Sequence, residues 1–344
     1  MTVRGQLGLL STGTKDETMR ISGFVDLQVN GFEGVDFSSP TLTEAELVRA
    51  FHGISAAGCA AFLPTVVTSS MRVYEHTLPL LARVLARPEF RNRVPGIHLE
   101  GPFVSPRPGV IGTHDGRYVA GADPDLLQRL QSLAAGRVCL LTMAAEIDGA
   151  PDLARCACES GMRVSVGHSY YDAAQLQRMV EAGATMLTHL GNGLPNELPR
   201  HENPIWAGLA NDDVFAGIIA DGIHLPPVVL RTLFRAKGVW RTVVVSDLCP
   251  LAGLKPGSYE WLGQKLILEA GGRVRNPARQ CLAGSAVTLF ESLNRLAALG
   301  FLSEQELLAV GFFNPLRLLG LRPDQVQSER RLTYDRSQCR FFMA

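Results

Sequence analysis

The stretch SGFVDLQVNGFEG (22–34) decides how the rest of the chain is read. FVDLQVN is an apolar run that ends in polar amides, and NGFEG follows as a glycine turn. That is the layout of a strand buried on both faces which delivers side chains to a rim. Seven more runs have the same form: AAFLPTVVT (60–68), VPGIHLE (94–100), VCLLTMAAE (138–146), RVSVGH (163–168), ATMLTHL (184–190), VFAGIIAD (214–221) and TVVVSD (242–247). All are continuous apolar stretches with a polar or acidic residue near the C-terminal end.

Helical stretches lie between them: TEAELVRAFHGISAAG (43–58), VYEHTLPLLARVLARPEF (73–90), DPDLLQRLQSLAAG (123–136), DLARCACESG (152–161), DAAQLQRMVEAG (172–183) and LPPVVLRTLFRAKG (225–238). Most close on a glycine, the common C-cap. Strand and helix alternate for eight rounds, which predicts an α/β chain folded as a (β/α)8 TIM barrel over residues 21–320, completed by SAVTLFESLNRLAALG (285–300). A doubly wound open sheet would gather its ligand groups at one switch point. Here the polar strand ends follow runs one, three, five, six, seven and eight, which favours the barrel. GQKLILEAGGRV predicts a hairpin-like insertion around 257–280, and a last helix is expected over 303–320. Residues 1–20 and 321–344 are expected to be extensions or remnants of a small β domain.

The 344 residues are 46% hydrophobic and 19% charged, which fits a packed globular chain and excludes a disordered one. A formal net charge of zero removes the electrostatic argument for a nucleic-acid or acidic-membrane partner. Seven cysteines are scattered without a disulfide framework, and no run is long enough to span a membrane. A cytoplasmic location is the expectation.

Chemistry concentrates at the strand ends. Glu100, His168 and His189 close runs three, five and six, and a barrel would bring them together. Two imidazoles and a carboxylate suit a divalent ion, Zn2+ above all, with a position left for water. Taken singly, each could equally be a satisfied buried polar group. Asp247 is placed to act as general base and then acid, or to cap a helix. Asp221 reads as loop support, and His224 as a donor to a substrate oxygen or a surface cap. Asn192 and Gly193 lie in a glycine turn that could hold an anion. The loop HLEGPFVSPRPGVIGTHD (98–115) could cover the site, with His114 touching ligand or facing water. Arg200 and His201 are further candidates for phosphate contact. No phosphate-binding P-loop, HExxH helix, GxSxG elbow or paired CxxC motif is present.

GFVDLQVNGFEGVDF, HLEGPF, VSVGHS, ATMLTHLGNGL, GIIADGIHLPP, VVSDLCPLAG and LAGSAVTL together resemble the amidohydrolase superfamily, and within it the N-acetylglucosamine-6-phosphate deacetylases. The resemblance spans roughly residues 21–321. It implies one divalent metal on Glu100, His168 and His189, and Asp247 as catalytic acid/base. It also implies His224 on the sugar and reacting amide, and Asn192 with Gly193 near a phosphate. The implied reaction removes the N-acetyl group from an N-acetylamino sugar phosphate, giving acetate and the amino sugar phosphate, in an enzyme that can be a homodimer.

Two features depart from the family pattern. About twenty residues precede the first strand, so the accessory β-sandwich is expected to be reduced or absent. LPRHENP (198–204) stands where relatives offer an arginine followed by Glu-Pro-Gly, which leaves Arg200 and His201 as alternative phosphate contacts. An N-acyl amino acid, a cyclic amide or an aminated base is the rival substrate class, and an inactive barrel kept for interactions is the rival without chemistry. Binuclear relatives carry His-x-His at the first strand end, where this chain has Gln28 and Asn30. Neutral amides compete poorly for transition metals. A single ion is therefore expected, with Gln28 turned toward its water or a ligand and Asn30 supporting the loop.

Overall fold

The computed structural model describes residues 21–326 and 331–343. Eight parallel strands run in sequence order around one sheet: β1 (Phe24–Val29), β2 (Cys59–Val67), β3 (Ile97–Glu100), β4 (Val138–Met143), β5 (Arg163–Val166), β6 (Ala184–Leu187), β7 (Phe215–Ile219) and β8 (Thr242–Val245). Each neighbouring pair is parallel, and β1, β2, β3 and β8 are buried along their whole length. That explains why the runs lack hydrophobic alternation: both faces are covered.

The barrel closes between β1 and β8 with little regular ladder. A bridge joins Val29 to Leu248, and Asn30 N donates to Leu248 O at 2.7 Å. Lower in the seam the Asp26 carboxylate stands in for backbone acceptors, taking the N–H groups of Ser246 at 3.1 Å and Gln28 at 3.3 Å. The Ser246 hydroxyl returns a bond to Gln28 O at 3.3 Å.

Outside the barrel lie α1 (Glu44–Ala56), α2 (Met71–Leu85), α3 (Pro124–Leu133), α4 (Ala150–Glu159), α5 (Ala173–Glu181), α6 (Pro204–Ala210), α7 (Pro227–Lys237) and α8 (Leu289–Ala298). Their starts follow from the sequence: Thr43 with Glu46, Asp172 with Gln175, and Thr288 with Glu291 form reciprocal capping boxes. Helix α6 falls in a stretch the sequence reading leaves without a helix. It has only seven residues, too few to show a period, and depends on Asn203 Oδ1 accepting the N–H groups of Ile205 and Trp206. The expected last helix is broken into α9 (Glu304–Leu308), a π turn (Ala309–Phe313) and α10 (Asn314–Leu319).

Between β8 and α8 the chain builds more than a hairpin. Strands β9 (Gly257–Trp261), β10 (Gln264–Leu268), β11 (Val274–Asn276) and β12 (Cys281–Leu282) form an antiparallel sheet with its own apolar cluster around Trp261, Leu266, Leu268 and Val274. Near the C-terminus β13 (Leu332–Asp335) and β14 (Arg340–Met343) pair, and Leu332 bridges Ile21. The expected remnant over residues 1–20 lies outside the described residues.

Candidate active site

Glu100 ends β3, while His168 and His189 stand two residues beyond β5 and β6. Glu100 Oε1 lies 3.3 Å from His168 Nε2 and 3.2 Å from His189 Nε2, and the two Nε2 atoms are 3.2 Å apart. Among the described residues this is the one cluster of three or more such side chains that could hold a metal ion. A tetrahedral ion with bonds of about 2.0–2.1 Å needs donor–donor edges of about 3.3 Å. The triangle has that size, so the donor set fits a metal.

The loop between β3 and α3 orients one ligand. His168 Nδ1 lies 2.8 Å from Val110 O, which places the proton on Nδ1 and leaves the Nε2 lone pair directed inward. The His114 ring stands edge-on to His168 with centroids 4.3 Å apart. Gly112 and Gly193, at φ 58° and 61°, flank the same ring; a Cβ would meet His168 Cε1 at 3.0 Å from Gly112 and His168 Nδ1 at 3.1 Å from Gly193. Glycine is required there by both conformation and space. His168, His189 and Asp247 themselves adopt φ of 44°, 31° and 51°. Non-glycine residues pay about 1–2 kcal/mol for this conformation, and such strain gathers where surrounding structure over-determines the backbone.

Asp247 follows β8 and is buried to 9% exposure. Its Oδ1 accepts from Gln28 Nε2 at 3.0 Å and from Asn30 Nδ2 at 2.8 Å, and Gln28 Nε2 also donates to Glu100 Oε1 at 2.8 Å. Gln28, expected to turn toward a water or ligand, gives its Nε2 to these two carboxylates, and its Oε1 is buried without a partner. It bridges two carboxylates, is 1% exposed and does not line the cavity. Asn30 does line it, and its side chain holds Asp247 while its backbone ties β1 to Leu248 and Phe37.

These contacts set the ionisation of the site. Burial would raise the Glu100 carboxyl, but hydrogen bonds and charge from His168 and His189 outweigh it and hold the group well below the ordinary range. Burial works against a charged His168, yet Glu100 raises it above the usual imidazole value. Asp247 is pushed up to about 6 by burial and by the charge of Glu100. His114 is pushed down to about 3 by burial and by His168.

His224 Nδ1 lies 2.7 Å from Asp221 Oδ2, which also accepts from Ser285 Oγ at 2.9 Å. Asp221 Oδ1 takes the N–H groups of Ile223 and His224, both at 2.8 Å. Asp221 is thus the orienting group and leaves His224 Nε2 for a ligand in the cavity.

A cavity of about 670 Å³ stands over these groups, lined by Glu100, His114, His168, His189, His224 and Asp247, with Asn192 and Gly193 on one side. The Asn192 Nδ2 is buried without a partner, which leaves a donor for a bound molecule. Arg200 and His201 are exposed and absent from the cavity wall. A further part of the wall, missed from sequence, comes from the insertion: Trp261, Arg273, Arg275, Asn276 and Arg279. The alternation in RVRN was the available signal. Beneath Glu100 lies a second unforeseen feature, a buried chain from His98 Nε2 to Thr142 Oγ1 (2.8 Å), Thr188 Oγ1 (2.7 Å) and Ser165 Oγ (2.6 Å).

A (β/α)8 barrel that gathers two imidazoles, a carboxylate and a separate buried aspartate at its strand ends defines a hydrolase of the amidohydrolase class. No family model matches the chain. It is 34% identical over 314 residues to the N-acetylglucosamine-6-phosphate deacetylase of Rattus norvegicus, covering 87% of this chain and 74% of the relative. With the Bacillus subtilis protein of the same name it shares 28% identity over 308 residues, covering 89% and 76%. Among solved structures, a variant N-acetyl-D-glucosamine-6-phosphate deacetylase from Mycobacterium smegmatis in complex with N-acetyl-D-glucosamine-6-phosphate superposes with a TM-score of 0.83 at 26% identity, covering 94% of this chain and 84% of that one. The chain belongs to the N-acetylglucosamine-6-phosphate deacetylase family.

Proposed function

We propose that this protein hydrolyses the N-acetyl group of N-acetylglucosamine 6-phosphate, with Asp247 as the proton-transfer residue and one zinc ion on Glu100, His168 and His189. The observation that carries the reading is the junction of the donor triangle with Asp247 through the Gln28 amide. Glu100, His168 and His189 would hold a divalent ion, and the chemistry it would supply there is Lewis acidity toward an acetyl carbonyl and a water. Every proton movement then belongs to the chain. Gln28 and Asn30 both occupy Asp247 Oδ1, so Oδ2 is the oxygen that takes the proton of the attacking water. As the carbon–nitrogen bond breaks, Asp247 returns that proton to nitrogen, and the products are acetate and the amine of glucosamine 6-phosphate. His224, oriented by Asp221, donates to an oxygen of the substrate, and Asn192 with Gly193 lies near its phosphate.

A homodimer in the cytoplasm completes the reading. Exposed Trp206, Val228 and Val229 on neighbouring helices α6 and α7 support the first, and seven free cysteines support the second. Among the described residues no helix is long and apolar enough to cross a membrane.

The test is acetate release from N-acetylglucosamine 6-phosphate by zinc-loaded protein, abolished by chelation and restored by metal. Ammonia in place of acetate, or no product from the metal-loaded protein, would refute the reading.

A further inference from the structure

We infer that the β9–β12 insertion positions a metal ligand: Gln264, Asn276 and Arg279 clamp the loop between β3 and α3, and through Val110 O that loop fixes His168 Nε2. The inference rests on the reading of His168 as a ligand and does not depend on which amide is cleaved.

The clamp is made by two turns of the insertion. Leu262 and Gly263, at φ 52° and 68°, form the two-residue turn of the β9–β10 hairpin, so Gln264 opens β10 opposite Trp261. At the other turn NPAR (276–279) closes on itself, with Asn276 Oδ1 accepting from Arg279 N at 3.1 Å. Asn276 is 1% exposed, and its Nδ2 donates to Gln264 Oε1 at 2.6 Å. One buried amide thus sets both grips. With its oxygen taken, Gln264 turns Nε2 to Thr113 O at 2.7 Å. Arg279 Nη1 donates to Gly112 O at 2.6 Å and to His114 O at 2.9 Å.

Three successive carbonyls are therefore held by two side chains. Among the described residues no backbone N–H donates to any of them. The start of the loop is tied elsewhere: Ser105 N donates to His168 O at 2.9 Å, and the Arg107 guanidinium stacks 3.7 Å from the Tyr170 ring centre. Between these ties lies Val110, whose carbonyl takes the Nδ1 proton of His168, and Gly112, whose backbone packs against the same ring. If the 112–114 end is released, Val110 O is free to shift, and the imidazole can turn its Nε2 out of the triangle with Glu100 and His189. Partners of the non-ligating nitrogen typically contribute ten- to hundredfold to metal affinity. The coupling is reciprocal: whatever the clamp adds to zinc affinity, bound zinc adds to the clamp.

Competition for zinc against a chromophoric chelator tests this in the full chain, with the thermal midpoint of the metal-free protein measured alongside. Affinity should fall roughly ten- to hundredfold in Arg279→Ala, fall also in Gln264→Ala, and stay at the wild-type level in Lys265→Ala, an exposed position on β10. Removing a positive charge would by itself strengthen cation binding, so a weakening in Arg279→Ala reports positioning. Deuterium uptake over residues 257–282 should slow when zinc binds the wild type and slow less in Arg279→Ala. Unchanged zinc affinity in Gln264→Ala and Arg279→Ala overturns the clamp, as does an equal loss in Lys265→Ala or zinc without effect on uptake in the wild type. If Arg279→Ala fails to fold, Gln264→Ala and the wild-type exchange decide. A wild type that binds no zinc refutes the metal site itself; one that binds zinc and releases no acetate refutes the deacetylase reading, while zinc affinity still decides the clamp.

Discussion

Gln28 and Asp247, 219 residues apart in the chain, meet across the barrel seam, with Gln28 Nε2 3.0 Å from Asp247 Oδ1. The same nitrogen reaches Glu100 at 2.8 Å, so one neutral amide separates the carboxylate of the metal cluster from the carboxylate proposed to move the proton. Without it two buried acids would face each other. Gln28→Ala is expected to destabilise the metal-free protein by about 2–3 kcal/mol, the scale of hydrogen bonds to charged groups. Chemical denaturation of wild type and variant after chelation measures this; equal midpoints would remove the bridging role.

Asp247→Asn keeps an oxygen that can accept from Gln28 and Asn30 but cannot carry a proton between water and nitrogen. Acetate release should fall by about 10²–10⁴, while metal content stays at the wild-type level. If the variant retains its rate, Asp247 does not transfer the proton.

Metal binding should depend on pH in a defined direction. Glu100 raises His168 above the ordinary imidazole value, so in the metal-free protein a proton competes for Nε2 at higher pH than in a free histidine. Zinc binding should release protons and weaken as pH falls through the raised value. Calorimetry in buffers of different ionisation enthalpy counts those protons, and a pH-independent affinity with no proton release would contradict the assigned ligand.

Gly193→Ala is expected to cost about 1–2 kcal/mol from its left-handed backbone. It should also lower zinc affinity, because the new methyl would meet His168 Nδ1 at 3.1 Å. A stability loss with unaltered zinc affinity would show that the glycine serves the turn alone.

Asp26 predicts a separate pH effect on the fold. Burial pushes it up to about 7 from an ordinary 3.8. The folded protein therefore keeps a proton that the unfolded chain gives up between those values. Its contribution to stability is full below about pH 4 and is lost as pH rises to about 7. Asp26→Asn retains the acceptor for Ser246 N–H and removes the charge, so it should flatten this slope and be more stable than wild type above neutrality. Urea unfolding at pH 5 and pH 8 decides: an undiminished slope in the variant excludes Asp26 as its source.

Much of this architecture was readable before any coordinates. Continuous runs such as FVDLQVN and TVVVSD require strands covered on both faces, and the alternation with capped helices leaves a closed barrel as the simplest cover. Glu100, His168, His189 and Asp247 were legible because each ends a run, and barrel strands deliver their ends to one rim. Helix α6 was not: Asn203 and Pro204 start it, but seven residues give the eye no period.

Tertiary structure alone decided how neutral and charged groups are paired. That Gln28 sits between Glu100 and Asp247, that Val110 O selects the His168 tautomer, and that Arg273 and Arg275 turn toward the cavity all depend on chain segments meeting across the barrel. Local sequence sets which residues a strand carries and where it stops, through periodicity and steric preference. Hydrogen-bond partners and electrostatic environment depend on distances of about 3 Å between residues far apart in the chain, and those distances come into being only when the barrel closes.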